Sequence, residues 1–548
     1  MNRSKLRDLF STIFVQQKYP VITFMILGFL LALPGLLLLQ VPERDCINRY
    51  IPMTKAFAQG NWAYAFHPRV PPLTYLLSGG LACLGISAYN AIKLTSLIFW
   101  LVGIYPFHRI WHKISGKKIA WFSCLLYIFC SKLLTLSFSG LRATTKSTSL
   151  LFLAWGLILV YQQRKSWKGY IITSLAAVGL LLVRGDCAIF ALAGLLAALI
   201  FNSRHFGKFV LPLKSLACIL LCIVLISPWL AYIYKTTGYP TTEYRLSILL
   251  DSSLKKVGLD NLYNNDAKPG IRNKNPKLTE PQNTNIEIIR KFKHASPLSL
   301  GSFFSKTSKG LFHVFFIFTC LGIYLRIKNR FWKPSETILL SLFSFHCLMI
   351  VLQIYFMYKI LFMDYRYLIT SIPLTLGWSV FGLYATIKWI IAKSSRSQRV
   401  HVKRLIFAAF CTGAVFVYIS GISPLKQEYI KKKDRTKFIL QVAKAISEIG
   451  KPEQQNSSFP QLLDNYCINS KYSIASTSTR ASGLADYRWT PLAKLNTQEA
   501  IEYYKSSDIK FFIVKDSEQK HFKNNPFEQI YKSNNLKDNF TIYKISRN

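Results

Sequence analysis

A carboxylate held at the edge of an apolar surface can take a proton from a hydroxyl, and several guanidinium groups together can grip a phosphate through paired hydrogen bonds. Both residue types recur at the ends of apolar runs in this 548-residue sequence. Away from two long polar stretches, the carboxylates at one set of run ends are Glu43, Asp45, Asp186 and Asp364. Asp45, in PERDCINRY just past the first apolar run, is the candidate general base; the alternative is a solvated loop pair with Arg44. Arg69, Arg142, Lys146, Arg184 and Arg366 fall at the same set of ends. They either converge on one anionic group or snorkel toward lipid headgroups. His67 could orient the carboxylate or bind a metal. It has no partner at ligand spacing, so no metal is assigned, no cofactor is evident, and a divalent ion is left open. Tyr50 and Trp62 either shape a pocket or anchor the loop at a membrane interface. Asp186 lies in VRGDC, where Gly185 suggests a turn and pairing with Arg184 or solvent.

The elements that must position these residues are apolar blocks. The chain is 51% hydrophobic, with runs near 19–41, 88–107, 119–137, 147–161, 169–183, 187–202, 215–234, 310–325, 337–358, 367–387 and 405–424. Each approaches the roughly 20 residues of a membrane-spanning helix. The first is longer than a signal-peptide core and lacks a clear small-residue cleavage site after it. The expected fold is therefore a polytopic α-helical membrane protein of about eleven spans.

A net charge of +44 in a soluble protein would suggest nucleic acid. Here the charge sits in alternate short connections, 108–118, 162–168, 203–214 and 388–404, which contain sixteen Lys and Arg among them and no acid. The positive-inside rule makes these cytoplasmic, together with the N-terminus and Arg326 to Lys333, and leaves the C-terminus outside. Nucleic-acid binding is excluded on that ground. Only Asp8 and Glu336, of all the acids, fall on the cytoplasmic side.

Two domains are expected: a transmembrane part, 1–424, with outer loops 42–87 and 235–308, and an extracytoplasmic tail, 425–548. The tail carries charges of both signs. A helix-like stretch, Thr497 to Lys505, precedes an apolar strand-like run, Phe511 to Val514, and the alternating stretch Phe540 to Ile545 could pair with it, giving a small α/β domain. Most of the eleven cysteines lie in apolar runs; Cys46 and Cys467 are both expected outside, where pairing is chemically open.

The order of these features resembles the GT-C superfold of integral-membrane glycosyltransferases, in the branch of protein O-mannosyltransferases and lipid A aminoarabinose transferases. The resemblance rests on Asp45, then AFAQGNW (Ala56 to Trp62), then HPRVPPL (His67 to Leu73), then DYRYLITSIPL (Asp364 to Leu374), and EAIEYYKSSDIKFFIVKD in the tail. The family often has Asp-Glu where this chain has Asp45-Cys46, and His or Lys directly before Pro-Pro-Leu, where Pro68, Arg69 and Val70 intervene here. It implies inverting transfer of a hexosyl or pentosyl group from a polyprenyl-phosphate sugar donor to a hydroxyl of a lipid, protein or glycan acceptor. The enzyme would sit in the lipid bilayer of a bacterial inner membrane, with its site on the extracytoplasmic face. Asp45 would be the base, Arg69, Arg184 and Arg366 the donor-phosphate ligands, and His67 and Tyr50 pocket or orienting residues. A multi-pass transporter and a polysaccharide polymerase or ligase are the rival classes; against the transporter, the spans lack acids and internal repeats.

Overall fold

The computed structural model describes residues 20–38, 46–66, 70–163, 166–184, 187–203, 213–237, 314–358 and 368–393, and five strands between 473 and 544. Thirteen α-helices lie among the described residues. The first is α1 (Pro20–Leu38). A short π-helical turn, Cys46–Tyr50, leads into α2 (Ile51–Ala58), α3 (Trp62–Ala65) and α4 (Leu73–Cys83). Next come α5 (Ala88–Phe129), α6 (Ser131–Phe138), α7 (Ala143–Gln162) and α8 (Trp167–Val183). The remainder are α9 (Ala188–Ser203), α10 (Leu213–Thr237), α11 (Val314–Lys328), α12 (Pro334–Tyr358) and α13 (Leu376–Lys393).

Four of these helices are long and apolar enough to cross a membrane: α1, α5, α7 and α10. Their burial differs sharply. In the most apolar window of α7, 89% of residues are buried, against 22% in α1 and 28% in α10. An apolar helix that is buried all round is a bundle centre, and one with exposed Ile22, Ile26, Phe29, Leu30 and Leu37 faces lipid. Thus α7 is the central post. It packs on α5, α8, α9 and α12. Small residues set the closest approach: a Cβ on Gly156 would lie 2.8 Å from the Thr173 amide nitrogen, and one on Gly169 would lie 2.7 Å from that of Val160.

As one straight rod, α5 would be about 63 Å long, twice a bilayer core. It is two helices, broken at Gly116, whose φ of 84° is a conformation that side-chain-bearing residues avoid. The halves fold back on each other, with the Tyr127 hydroxyl donating to the Trp100 carbonyl at 3.0 Å. The basic connection expected over 108–118 is thereby reduced to one residue of non-helical backbone. A second difference is at 367–387, expected as a span from its first residue. Instead a 3-10 turn, Ile372–Leu374, precedes α13; Pro373 has no N–H to give to a preceding turn, so it fits the start of a helical segment and not its interior. The apolar run 405–424 lies outside the described residues.

The end of the bundle away from the π-helical turn is fastened by Glu336, whose side chain is fully buried. It forms an ion pair with Arg326 and accepts hydrogen bonds from Arg326 Nη2 (2.8 Å), Trp378 Nε1 (2.9 Å) and the Lys333 amide (2.9 Å). Lys333 Nζ donates to the Ile114 carbonyl at 2.8 Å, capping the first half of α5 where Gly116 ends it. One carboxylate thus joins α11, α12 and α13, and the adjacent lysine adds α5.

Strands β1 (Ser473–Ser476), β2 (Arg488–Pro491), β3 (Ile509–Lys515), β4 (Glu528–Lys532) and β5 (Phe540–Lys544) form one sheet in the order β2-β1-β3-β5-β4. The pairing expected between Phe511–Val514 and the last alternating stretch is present as an antiparallel ladder with Ile513 opposite Ile542. The helix-like stretch 497–505 lies outside the described residues.

Candidate active site

Asp45, His67, Arg69, Asp186, Asp364 and Arg366 lie outside the described residues. Described residues flank Asp45, His67, Arg69 and Asp186, and those around Asp45, His67 and Arg69 gather near the N-terminal turn of α7; for Asp364 and Arg366 the first described residue after them is Leu368.

Cys46, which follows Asp45, has no exposed surface. Its thiol donates to the carbonyls of Gly140 (3.3 Å) and Ser139 (3.5 Å), in the turn that enters α7. That turn needs Gly140, whose φ is +74°. Ser96 of α5 holds it from the other side through the Leu141 carbonyl at 3.2 Å. Phe66 and Val70, which bracket His67–Arg69, pack in the same small core as Cys46, Tyr50, Ile51, Tyr75 and Ile92. Tyr232 of α10 donates to the Phe66 carbonyl at 2.7 Å, so the bracketing backbone is tied on both flanks.

Arg142 closes the next link. Its guanidinium lies 5.1 Å from the centroid of the Tyr50 ring, and its Nη1 donates to the Val183 carbonyl at 2.8 Å. Arg184 is therefore adjacent, half-buried and in extended backbone where α8 ends. Tyr50 is 4% exposed, so its ring is packed beneath a cation and is not an interface anchor; Trp62, at 54%, has the exposure of one.

Helix α7 starts at Ala143, four residues before the expected span, and so takes Thr144, Thr145 and Lys146 into its first turn. Lys146 is 4% exposed, with its ammonium 6.0 Å from the Phe190 ring centroid in α9. Phe190 in turn contacts His346 of α12, ring centroids 5.2 Å apart. His346 Nδ1 lies 2.8 Å from Ser371 Oγ and Nε2 lies 3.3 Å from Thr370 Oγ1. Ser371 Oγ gives its proton to the Leu368 carbonyl. It must therefore accept from Nδ1–H, which leaves Nε2 to accept from Thr370. His346 thereby fixes the segment that follows Arg366. A further buried cation, Lys93 at the start of α5, donates to the Leu36 carbonyl at 2.8 Å, tying down the last turn of α1.

Of the candidates named from sequence, the structure brings Tyr50 and Arg184 together through Arg142. Lys93, Thr144, Thr145 and His346 were not singled out by sequence. The polar run TTKSTS opening an apolar span was the available signal for the two threonines. His346 and Lys93 sit inside apolar runs and carried no signal of their own. The group is cation-rich: the only carboxylate among the described helical residues is Glu336, which is at the far end of α7, where Gln162 meets Ser335. Among the described residues no three His, Cys, Asp or Glu side chains cluster as a metal site.

Residues 67–232 match the family described as dolichyl-phosphate-mannose-protein mannosyltransferase. No curated protein matches the sequence. Among solved structures, ArnT from Cupriavidus metallidurans bound to undecaprenyl phosphate is similar with a TM-score of 0.59 at 9% identity, over 95% of this chain and 97% of that one. The Archaeoglobus fulgidus oligosaccharyltransferase tethered to an acceptor peptide is similar at 0.53 and 11% identity, over 91% of this chain and 69% of that one. At such identities the likeness is one of fold. The fold is that of the GT-C membrane glycosyltransferases, as the sequence resemblance implied, and this chain is an integral membrane protein.

Proposed function

We propose that this chain, built on the GT-C fold and matching the mannosyltransferase family over residues 67–232, transfers a sugar from a polyprenyl-phosphate donor to a hydroxyl acceptor, with inversion. Glycosyl transfer from a lipid-phosphate donor is the activity that the family match and the similar structures support. The acceptor class and the bacterial inner membrane are our further reading from the family resemblance, and the extracytoplasmic face from the distribution of Lys and Arg between connections.

The observation that carries the proposal is the clamp of Cys46 onto the turn entering α7. It seats the backbone beside Asp45 against the segment whose Arg142 reaches Tyr50 and Val183. In the reaction the acceptor hydroxyl oxygen bonds to the anomeric carbon as its proton passes to the Asp45 carboxylate. The bond from that carbon to the phosphate oxygen breaks, and its electron pair stays on the phosphate. Asp45 thus serves as base, while Arg69, Arg184 and Arg366 meet the charge that grows on the leaving phosphate in a low-dielectric setting. His67 orients the carboxylate and Tyr50 supports the pocket. An apolar cavity of about 650 Å³ is lined by Leu157 and Tyr161 of α7, Ala193 and Ala197 of α9, and Leu342 and Phe345 of α12. It runs from Phe345, beside Phe190, to Trp332 and Pro334 near Glu336, and its mainly apolar lining suits an isoprenoid chain.

The test is transfer of labelled sugar from a panel of polyprenyl-phosphate sugars in membranes carrying wild type or Asp45→Asn. A labelled product with wild type, lost in the variant while donor binding survives, is the expected result. Equal transfer by both removes Asp45 from the mechanism.

A further inference from the structure

We infer that the first turn of α7 is itself a phosphate subsite, with Thr144, Thr145 and Lys146 as its side-chain ligands; this rests on the lipid-phosphate donor reading above. The first N–H groups of a helix have no acceptor within the helix and carry the positive end of its dipole. In α7 the first intrahelical bond is Lys146 N–H to the Arg142 carbonyl (3.0 Å), which leaves the amides of residues 143–145 at the open end. The N-cap position is Arg142, which makes no side-chain cap, and no acid occupies the first turn.

The threonines give the independent sign of a ligand. Thr144 is 3% exposed and Thr145 fully buried, yet neither hydroxyl has a hydrogen-bond partner among the described residues, and nor does that of Ser147 one position beyond Lys146. Leaving a hydroxyl buried and unpaired costs about 1–3 kcal/mol. Three in four consecutive residues is a cost that a purely structural helix start would avoid by using alanine or valine. In a helix each Cα–Cβ bond tilts toward the N-terminus, so the Thr144 and Thr145 side chains leave the backbone on the side of the open amides. Lys146 is buried in the same turn with its ammonium over the Phe190 ring, and Arg142, at the N-cap, reaches the Val183 carbonyl next to Arg184. Open amides, two hydroxyl donors and an ammonium in one desolvated turn match the needs of a phosphate's oxygens.

The full-length protein in nanodiscs would be titrated with polyprenyl phosphate, and separately with inorganic phosphate. The variants are Thr144→Val/Thr145→Val, Thr144→Ser/Thr145→Ser and Lys146→Met. We expect the Val pair and Lys146→Met each to weaken polyprenyl-phosphate binding by about tenfold, and the Ser pair to keep wild-type affinity. The Val pair should melt no lower than wild type, since it removes unpaired buried hydroxyls; loss of affinity without loss of stability is what a purely structural role would not produce. Unchanged affinity in both weakened variants overturns the subsite and leaves the donor reading standing. If wild type binds no polyprenyl phosphate, the donor reading falls. The subsite as a phosphate cradle then survives only if inorganic phosphate binds and is lost in the same variants, and is overturned otherwise.

Discussion

Removing the Glu336 carboxylate should be among the most costly single changes in the bundle, and restoring balance by a second change should recover part of the loss. Glu336 is fully buried and Arg326 is 4% exposed. Replacing Glu336 by Leu leaves three donors unanswered: the Arg326 guanidinium, Trp378 Nε1 and the Lys333 amide. Breaking a buried pair from one side costs about 3–5 kcal/mol, because the remaining charge stays in a low-dielectric site. Of that, the two neutral N–H groups account for about 2 kcal/mol. Converting Arg326 to Met in the same chain removes the stranded charge and leaves those neutral groups, together with the carbonyl of exposed Phe331, which loses its Arg326 donor but stays within reach of water. Glu336→Leu is thus expected to lose about 4 kcal/mol and Arg326→Met/Glu336→Leu about 2 kcal/mol, so the second substitution stabilises. The assay is reversible unfolding in mixed detergent micelles with rising dodecyl sulfate, followed by tryptophan fluorescence. Trp332 and Trp378, stacked with centroids 5.8 Å apart beside the pair, report locally. A double variant no more stable than Glu336→Leu, or a single variant costing under about 1 kcal/mol, would refute the reasoning.

His346→Ala should lower sugar transfer about tenfold by releasing the Thr370–Ser371 segment that follows Arg366, with the loss mainly in donor KM; His346→Asn, which can still donate to Ser371, should recover part of it, and a uniform loss of kcat in both would count against a positioning role. In a chain keeping only Cys46 and Cys83, a membrane-impermeant maleimide added to intact cells should label exposed Cys83 at the end of α4 and spare buried Cys46; labelling that requires permeabilised cells would invert the topology read from the Lys and Arg pattern.

Much of the architecture was legible because membrane helices announce themselves locally. A span must satisfy its backbone within itself and present about 20 apolar side chains, so its position follows from composition along a short window. The same holds for the strand pair: alternation in Phe540–Lys544 and the apolar run in Ile509–Lys515 are local signals, and β3 and β5 do pair. Arg142, Arg184 and Lys146 were visible as cations at run ends for the same reason. What a window cannot carry is which ends meet. Cys46 bonds a carbonyl 94 residues away, Tyr232 one 166 residues away, and Lys333 one 219 residues away. Those contacts depend on how helices cross, which is set by small residues such as Gly156 and Gly169 and by the breaks at Gly116 and Pro373. Tertiary structure alone made Glu336 the buried anchor of three helices, moved Lys146 from a connection into the first turn of α7, and gave His346 its two hydroxyl partners. A charged or polar side chain in an apolar run looks the same in sequence whether it faces lipid, water or a neighbouring helix, and only packing distinguishes them.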